Sequence, residues 1–196
     1  IREKYGFNYD HSTLGTMKIF RDESSFNKAS KEAERLSDLG LTFKVLTNQE
    51  VVEQEPFLSD VSNKISGGII FPDDETGDAY KFCKELETVI REKGGRIHVN
   101  TEVKKIHFNK RKVNSVVTDR VEIKASRVVL TSGSWTNNLL KNTRLNLPIK
   151  PVKGYSLTLD TSILNDTPKM PIIDEGIHTA ITPLGYSLRV AGTAEF

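Results

Sequence analysis

Val128-Val129-Leu130-Thr131-Ser132-Gly133-Ser134-Trp135 runs from an unbroken apolar triplet into four small residues and then an aromatic. A short continuous apolar run is the pattern of a strand covered on both faces, because a half-exposed strand alternates instead. Trp135 then opens a short helix through Leu139 and Leu140. Small residues between strand and helix let a ligand approach the backbone closely, and the N–H groups of Ser132 and Gly133 suit a phosphate or ribose oxygen. The same eight residues also read as an ordinary strand-to-helix connection, and by themselves they do not choose between the two.

Upstream, the apolar period is two. Ile97 and Val99 alternate, then Val103, Ile106 and Phe108, then Val113, Val116 and Val117, then Val121 and Ile123, which predicts strands joined as a hairpin. Before them the period is helical: Ala79, Phe82, Cys83, Leu86, Val89 and Ile90 share one face, Asp78 stands where a cap belongs, and Gly94-Gly95 stop the helix. Cys83 on that face reads as a buried, inert thiol. Gly67 to Pro72 reads as a short buried strand closed by proline. Thr47 and Glu50 form a capping box for a helix that Pro56 ends. Phe26, Ala29, Ala33, Leu36 and Leu39 predict a helix stopped at Gly40, after a strand within residues 12–20 around Leu14, Met17, Ile19 and Phe20. Downstream, strands are predicted over Val152–Leu159, Thr179–Thr182 and Ser187–Phe196, with a turn at Pro183-Leu184-Gly185-Tyr186. The fold class is therefore α+β, with a mixed, largely antiparallel sheet and helices.

The 28 basic and 26 acidic residues leave a net charge of +2, too even a balance to build a field for nucleic acid. The basic cluster Lys104-Lys105 and Lys110-Arg111-Lys112 flanks the predicted hairpin and reads as a solvated strand edge. One cysteine excludes an internal disulfide and suits a reducing compartment. No stretch approaches the roughly 18 apolar residues of a membrane span. Asp73 to Asp78 lacks the alternation of a calcium loop and reads as a capped turn, so no metal site is expected. His11, His98, His107 and His178 share no spacing. The chain holds no Gly-x-Gly-x-x-Gly, no phosphate-loop lysine motif and no nucleophile elbow. It begins at Ile1 and stops after an apolar strand pattern, which reads as an internal segment of a longer chain.

Four stretches then resemble one family. Phe71-Pro72-Asp73-Asp74-Glu75-Thr76-Gly77-Asp78 with Lys81-Phe82 is similar to the P-x-D-x-T-G-D-x-x-x-F stretch of bacterial D-amino-acid dehydrogenase small subunits. Ala180-Ile181-Thr182 and Leu188 to Phe196 resemble their A-I-T … R-V-A-G-x-A-E strand pair. Val128 to Trp135 resembles their V-V-x-A-x-G-x-W turn, and Pro151 to Tyr155 their P-V-[KR]-G-Y strand. The order is the family's and covers about residues 40–196. The wider group is the D-amino-acid oxidase-like flavoproteins, glycine and sarcosine oxidases included.

The resemblance implies a two-domain enzyme with non-covalent FAD. Residues 1–72 and 148–196 would form two parts of a substrate domain, with 73–147 a partial, Rossmann-like FAD-binding block between them. It places Val103 on the adenine side, Thr131, Ser132 and Gly133 beside the adenosine and pyrophosphate, and Trp135 as the aromatic after them. The implied reaction is hydride transfer from the α-carbon of a D-amino acid to flavin N5, followed by hydrolysis of the imine to a 2-oxo acid and ammonia. No catalytic residue is assigned, and Arg189 is not given the role of carboxylate clamp. Electron transfer to a quinone and a cytoplasmic location peripheral to the inner membrane are further implications. Two departures stand out: the glycine-rich phosphate turn is missing, and so is the segment carrying the carboxylate-binding arginine. The 196 residues alone are thus expected to bind FAD poorly, to be inactive and to self-associate through uncovered apolar surface. The alternatives are a glycine- or sarcosine-oxidase-like enzyme and a non-catalytic binding module.

Overall fold

A computed structural model describes residues 1–110 and 112–195. Arg111 of the basic cluster and Phe196 at the end of the last predicted strand lie outside the described residues. The described chain divides into two compact units, Ile1–Val89 with Gly154–Glu195, and Ile90–Lys153. In chain order the elements are α1 (Arg2–Tyr5), β1 (Thr16–Phe20), α2 (Glu23–Ser37), β2 (Lys44–Thr47), α3 (Asn48–Gln54), a 3-10 helix (Pro56–Lys64), β3 (Gly67–Phe71) and α4 (Ala79–Glu92). Then follow β4 (Val103–Asn109), β5 (Lys112–Thr118), β6 (Glu122–Lys124), α5 (Thr136–Leu140), β7 (Lys153–Asp160), β8 (Ile172–Asp174), β9 (Thr179–Leu184) and β10 (Ser187–Glu195).

The first unit is built on a seven-stranded sheet of order β2-β3-β1-β8-β9-β10-β7. All pairings with a defined register are antiparallel except β1 with β8, where Met17 lies opposite Ile172. Alternation along β1 explains both faces. Met17 and Ile19 join Leu46, Val51, Leu58, Met170 and Ile172 in the main core, under α3 and the 3-10 helix. Lys18 and Phe20 point to the opposite face, where Phe20 meets Phe26 of α2 at 5.8 Å. Gly67 is fixed by that contact: a Cβ there would stand 2.5 Å from the Phe26 ring.

Local chemistry sets the ends. Thr47 and Glu50 form the reciprocal capping box that starts α3. Asp78 Oδ1 accepts the N–H of Tyr80 (2.8 Å) and Lys81 (3.1 Å) at the start of α4. Gly94, at φ +80°, follows the end of α4 and donates to the Arg91 carbonyl. The β9–β10 hairpin turns through Gly185-Tyr186, with Gly185 at φ +58°, as the tight primed turns require of their first central residue.

Two buried carboxylates tie the sheet. Asp174 accepts Arg21 Nε and Nη2 at 2.9 and 2.6 Å and the N–H groups of Gly176 and Ile177. The pairing raises the Arg21 guanidinium above its ordinary pKa, chiefly by that hydrogen bond. Glu55, 1% exposed, accepts the N–H groups of Lys169 and Met170 and so holds the entry to β8. Neither carboxylate shows a sequence signature.

The second unit carries the three-stranded antiparallel sheet β4-β5-β6 and α5. Its core is small, with Ile106 and Leu140 as its buried hydrophobics.

Several expectations are corrected. Cys83 is exposed, not buried, and α4 has no buried residue despite its clear apolar stripe. An amphipathic period specifies a face, whereas burial needs a surface to cover it; Phe82 meets only the rings of Phe7 and Tyr9 among the described aromatics. Val128–Leu130 is not a strand: no described strand pairs with it, and Val129 is 84% exposed. Ile97–Val99 is not a strand either, since two alternating residues without a partner form no ladder. Leu14 and Leu39 fall outside their predicted elements and are exposed. Pro56 does end α3, but it also starts a 3-10 helix, as proline's fixed φ permits at a first helical position.

Candidate functional site

Two concave regions carry candidate chemistry, one in each unit. In the second unit a cavity of about 230 Å³ lies between β4, β5, the segment Val128–Ser132 and α5. Val103 and Ile106 project into it because they are three apart on β4 across a register shift between Val103 and Lys105. Val116 supplies β5's contribution and Leu139 that of α5. Thr131 and Ser132 bring hydroxyls to the rim, and Ser132 Oγ lies 3.0 Å from Thr136 Oγ1. Among the described residues no ionisable side chain lines this cavity. Its lining is apolar apart from two hydroxyls, and among the described residues it contains no acid or base.

Of the five residues singled out in the sequence, Val103, Thr131 and Ser132 meet at this cavity. Gly133 and Trp135 do not line it. Gly133, at φ +54°, starts the 3-10 turn that leads into α5, and a Cβ there would meet nothing within 4 Å. Trp135 is 71% exposed and donates its N–H to the Ser132 carbonyl. Ile106, Val116 and Leu139 were not singled out, although the alternation of β4 and β5 was the signal for the first two. Nearby in the same unit, Ser115 Oγ donates to Glu122 Oε1, which also lies 3.2 Å from His107 Nδ1. Those two contacts, the serine first, hold the Glu122 carboxyl below the ordinary glutamate pKa.

In the first unit, two adjoining cavities of about 490 and 400 Å³ share Asp78, Leu184 and Arg189. The turn 73–78 forms one wall and the β9–β10 hairpin the other. Arg189 lies on the opposite sheet face from buried Leu188, and its Nη2 donates to Ser156 Oγ at 3.0 Å.

Residues 1–196, the whole chain, match the family profile described as DAO: FAD dependent oxidoreductase. The chain belongs to this family. Among curated DAO-family relatives, it is 35% identical to the D-amino acid dehydrogenase of Vibrio cholerae serotype O1 (strain M66-2) over 195 residues, covering 100% of this chain and 46% of that protein. It is 36% identical to the D-amino acid dehydrogenase of Rhizobium johnstonii, covering 100% of this chain and 47% of that protein. The chain thus spans about half the length of the curated relatives it matches. Among solved structures it is similar to glycine oxidase from Bacillus cereus ATCC 14579, with a TM-score of 0.81 and 27% identity over 99% of this chain and 51% of that one. L-proline dehydrogenase from P. horikoshii shares the fold at a TM-score of 0.86 and 20% identity, over 98% of this chain and 52% of that one. The mixed α+β fold and the DAO-family assignment expected from the four motifs both hold.

Proposed function

We propose that this chain is part of an FAD-dependent enzyme that oxidatively deaminates D-amino acids. The observation that carries the reading is the cavity uniting Val103, Thr131 and Ser132, set in a chain of the FAD dependent oxidoreductase family. An adenine ring fits the apolar floor of Ile106, Val116 and Leu139, while the Thr131 and Ser132 hydroxyls suit the ribose or pyrophosphate oxygens. Gly133 and Trp135 complete the turn beside that edge. In the same reading, residues 73–147 contribute to the cofactor domain, and residues 1–72 and 148–196 to the substrate domain.

FAD, held in this reading beside Val103, Thr131 and Ser132, would supply the acceptor for the hydride that leaves the amino acid's α-carbon. The chain's residues bind and orient, and the imino acid released takes up water to give a 2-oxo acid and ammonium. The D-amino acid as substrate follows the names of the curated relatives. Electrons then pass to a carrier such as a quinone, which calls for peripheral contact with a membrane. Among the described residues no helix is long and apolar enough to cross one. The second reading, an oxidase, is favoured by the likeness to glycine oxidase.

Product analysis separates these readings. The gene product carrying this chain, incubated with D-alanine and an artificial electron acceptor, should release pyruvate and ammonia in equal amounts without peroxide. Peroxide in step with pyruvate would make it an oxidase, and no 2-oxo acid from D-alanine or other D-amino acids, with the acceptor or with oxygen, would remove the reading.

A further inference from the structure

The paired cavities beside Arg189 carry charges that do not all cancel. Lys81 Nζ donates to Asp10 Oδ2 at 2.5 Å and also feels the charge of Asp78 without hydrogen-bonding it, and Arg2 Nη1 donates to Glu75 Oε2 at 2.6 Å. Two charged groups at these cavities make no close ion pair among the described residues. Arg189 pairs with no carboxylate among the described residues and gives only one N–H to the neutral Ser156 hydroxyl. Asp78 spends Oδ1 on the start of α4, and its Oδ2 takes no hydrogen bond from the described residues. Both side chains line both cavities. Thr182 lies on the wall, and Thr76, also lining the larger cavity, has a buried hydroxyl without a partner.

One uncommitted cation and one half-used carboxylate at a common concavity match a ligand that carries one charge of each sign. We infer that Arg189 and Asp78 form a docking site for a free amino acid in its zwitterionic form. The planar guanidinium takes the carboxylate through two parallel N–H···O bonds, a geometry a lysine does not offer. Asp78 Oδ2 takes the ammonium while Oδ1 keeps the helix cap. A simple anion would be repelled by Asp78 and a simple cation by Arg189, so the site selects against both. Because an ammonium group holds the nitrogen lone pair in a bond to hydrogen, this site captures the amino acid in its resting form and is not the place where hydride leaves. The choice of amino acid as ligand rests on the proposed deamination, but the binding itself needs no flavin.

The test is NMR titration of the full 196-residue chain, following the Arg189 Nε–Hε signal and the Thr182 amide. D-alanine should shift both saturably. Acetate, which lacks the ammonium, and D-alaninamide, which lacks the carboxylate, should each bind about tenfold more weakly. Arg189→Met should abolish the D-alanine shift at Thr182. Asp78→Asn keeps a capping side chain and removes the charge, so it should weaken D-alanine about tenfold while leaving acetate unweakened or tighter. The inference is overturned if D-alanine causes no saturable shift, if acetate or alaninamide binds as well as D-alanine, or if Arg189→Met titrates like the parent. Flavin chemistry enters none of these readouts, so failure here leaves the deamination reading standing, and failure of deamination leaves a measured amino-acid site.

Discussion

At the scale of the residue, the least replaceable groups are charged ones the sequence does not flag. Asp174 is 4% exposed and holds Arg21, Gly176 and Ile177 together at the end of β8. Arg21→Met would leave that carboxylate buried with two weak backbone donors. We expect a loss of about 2 kcal/mol in urea denaturation, below the full cost of a broken buried pair because the Arg21 side chain is 29% exposed. A loss indistinguishable from that of an exposed arginine would contradict the pairing. Glu122 gives a pH signature. Its folded pKa is lowered, first by Ser115 and then by His107, so its contribution to stability is present above the ordinary glutamate value and is lost as pH falls through the folded one. Carbon-detected NMR should show Glu122 titrating below the ordinary glutamate value, and Glu122→Gln should remove that acid-side slope. At this scale the sequence was legible where chemistry is local. Asp78 as a cap and Thr47 with Glu50 as a box need only neighbours in the chain. Asp174 and Glu55 find partners 153 and 114 residues away, and no spacing encodes that.

At the scale of the element, close approach decides what β3 tolerates. Gly67→Ala would place a methyl group 2.5 Å from the ring of Phe26 and push α2 from the sheet. The expected cost is about 1–3 kcal/mol, read as a lower urea midpoint with unchanged slope. The companion change Phe26→Leu should recover part of it. Strands and helices with strong periods were legible: β1, α2, β4, β5 and α4 fall where the pattern put them. β2 and β8 were missed because they are four and three residues long and take their identity from the neighbours they pair with. Val128–Leu130 failed for the converse reason, an apolar run with no described partner. Even so, its residues reach the cavity with Val103, so the candidate site was legible where its secondary structure was not.

At the scale of the whole molecule, large apolar side chains stand exposed in both compact units. In one unit Val129 is 84% exposed; in the other Ile163 is 73% and Leu157 68% exposed, and β7 is exposed along its whole length at the sheet edge. Such surface drives association. Light scattering of the 196-residue chain should show mass rising with concentration, and a monomer at every concentration would count against it. The sequence named the family through motifs spread along the chain, and the resemblance implied a two-domain division; the bounds of the two compact units are set by contacts between distant segments, which no local pattern encodes. In the proposed function, the Val103–Thr131–Ser132 cavity belongs to a flavin enzyme acting on D-amino acids. The most direct measurement is the visible spectrum of the purified gene product carrying this chain, before and after anaerobic D-alanine. Bound flavin that bleaches is the predicted result, and a protein without flavin absorbance, or with flavin that D-alanine and other D-amino acids leave oxidised, would contradict it.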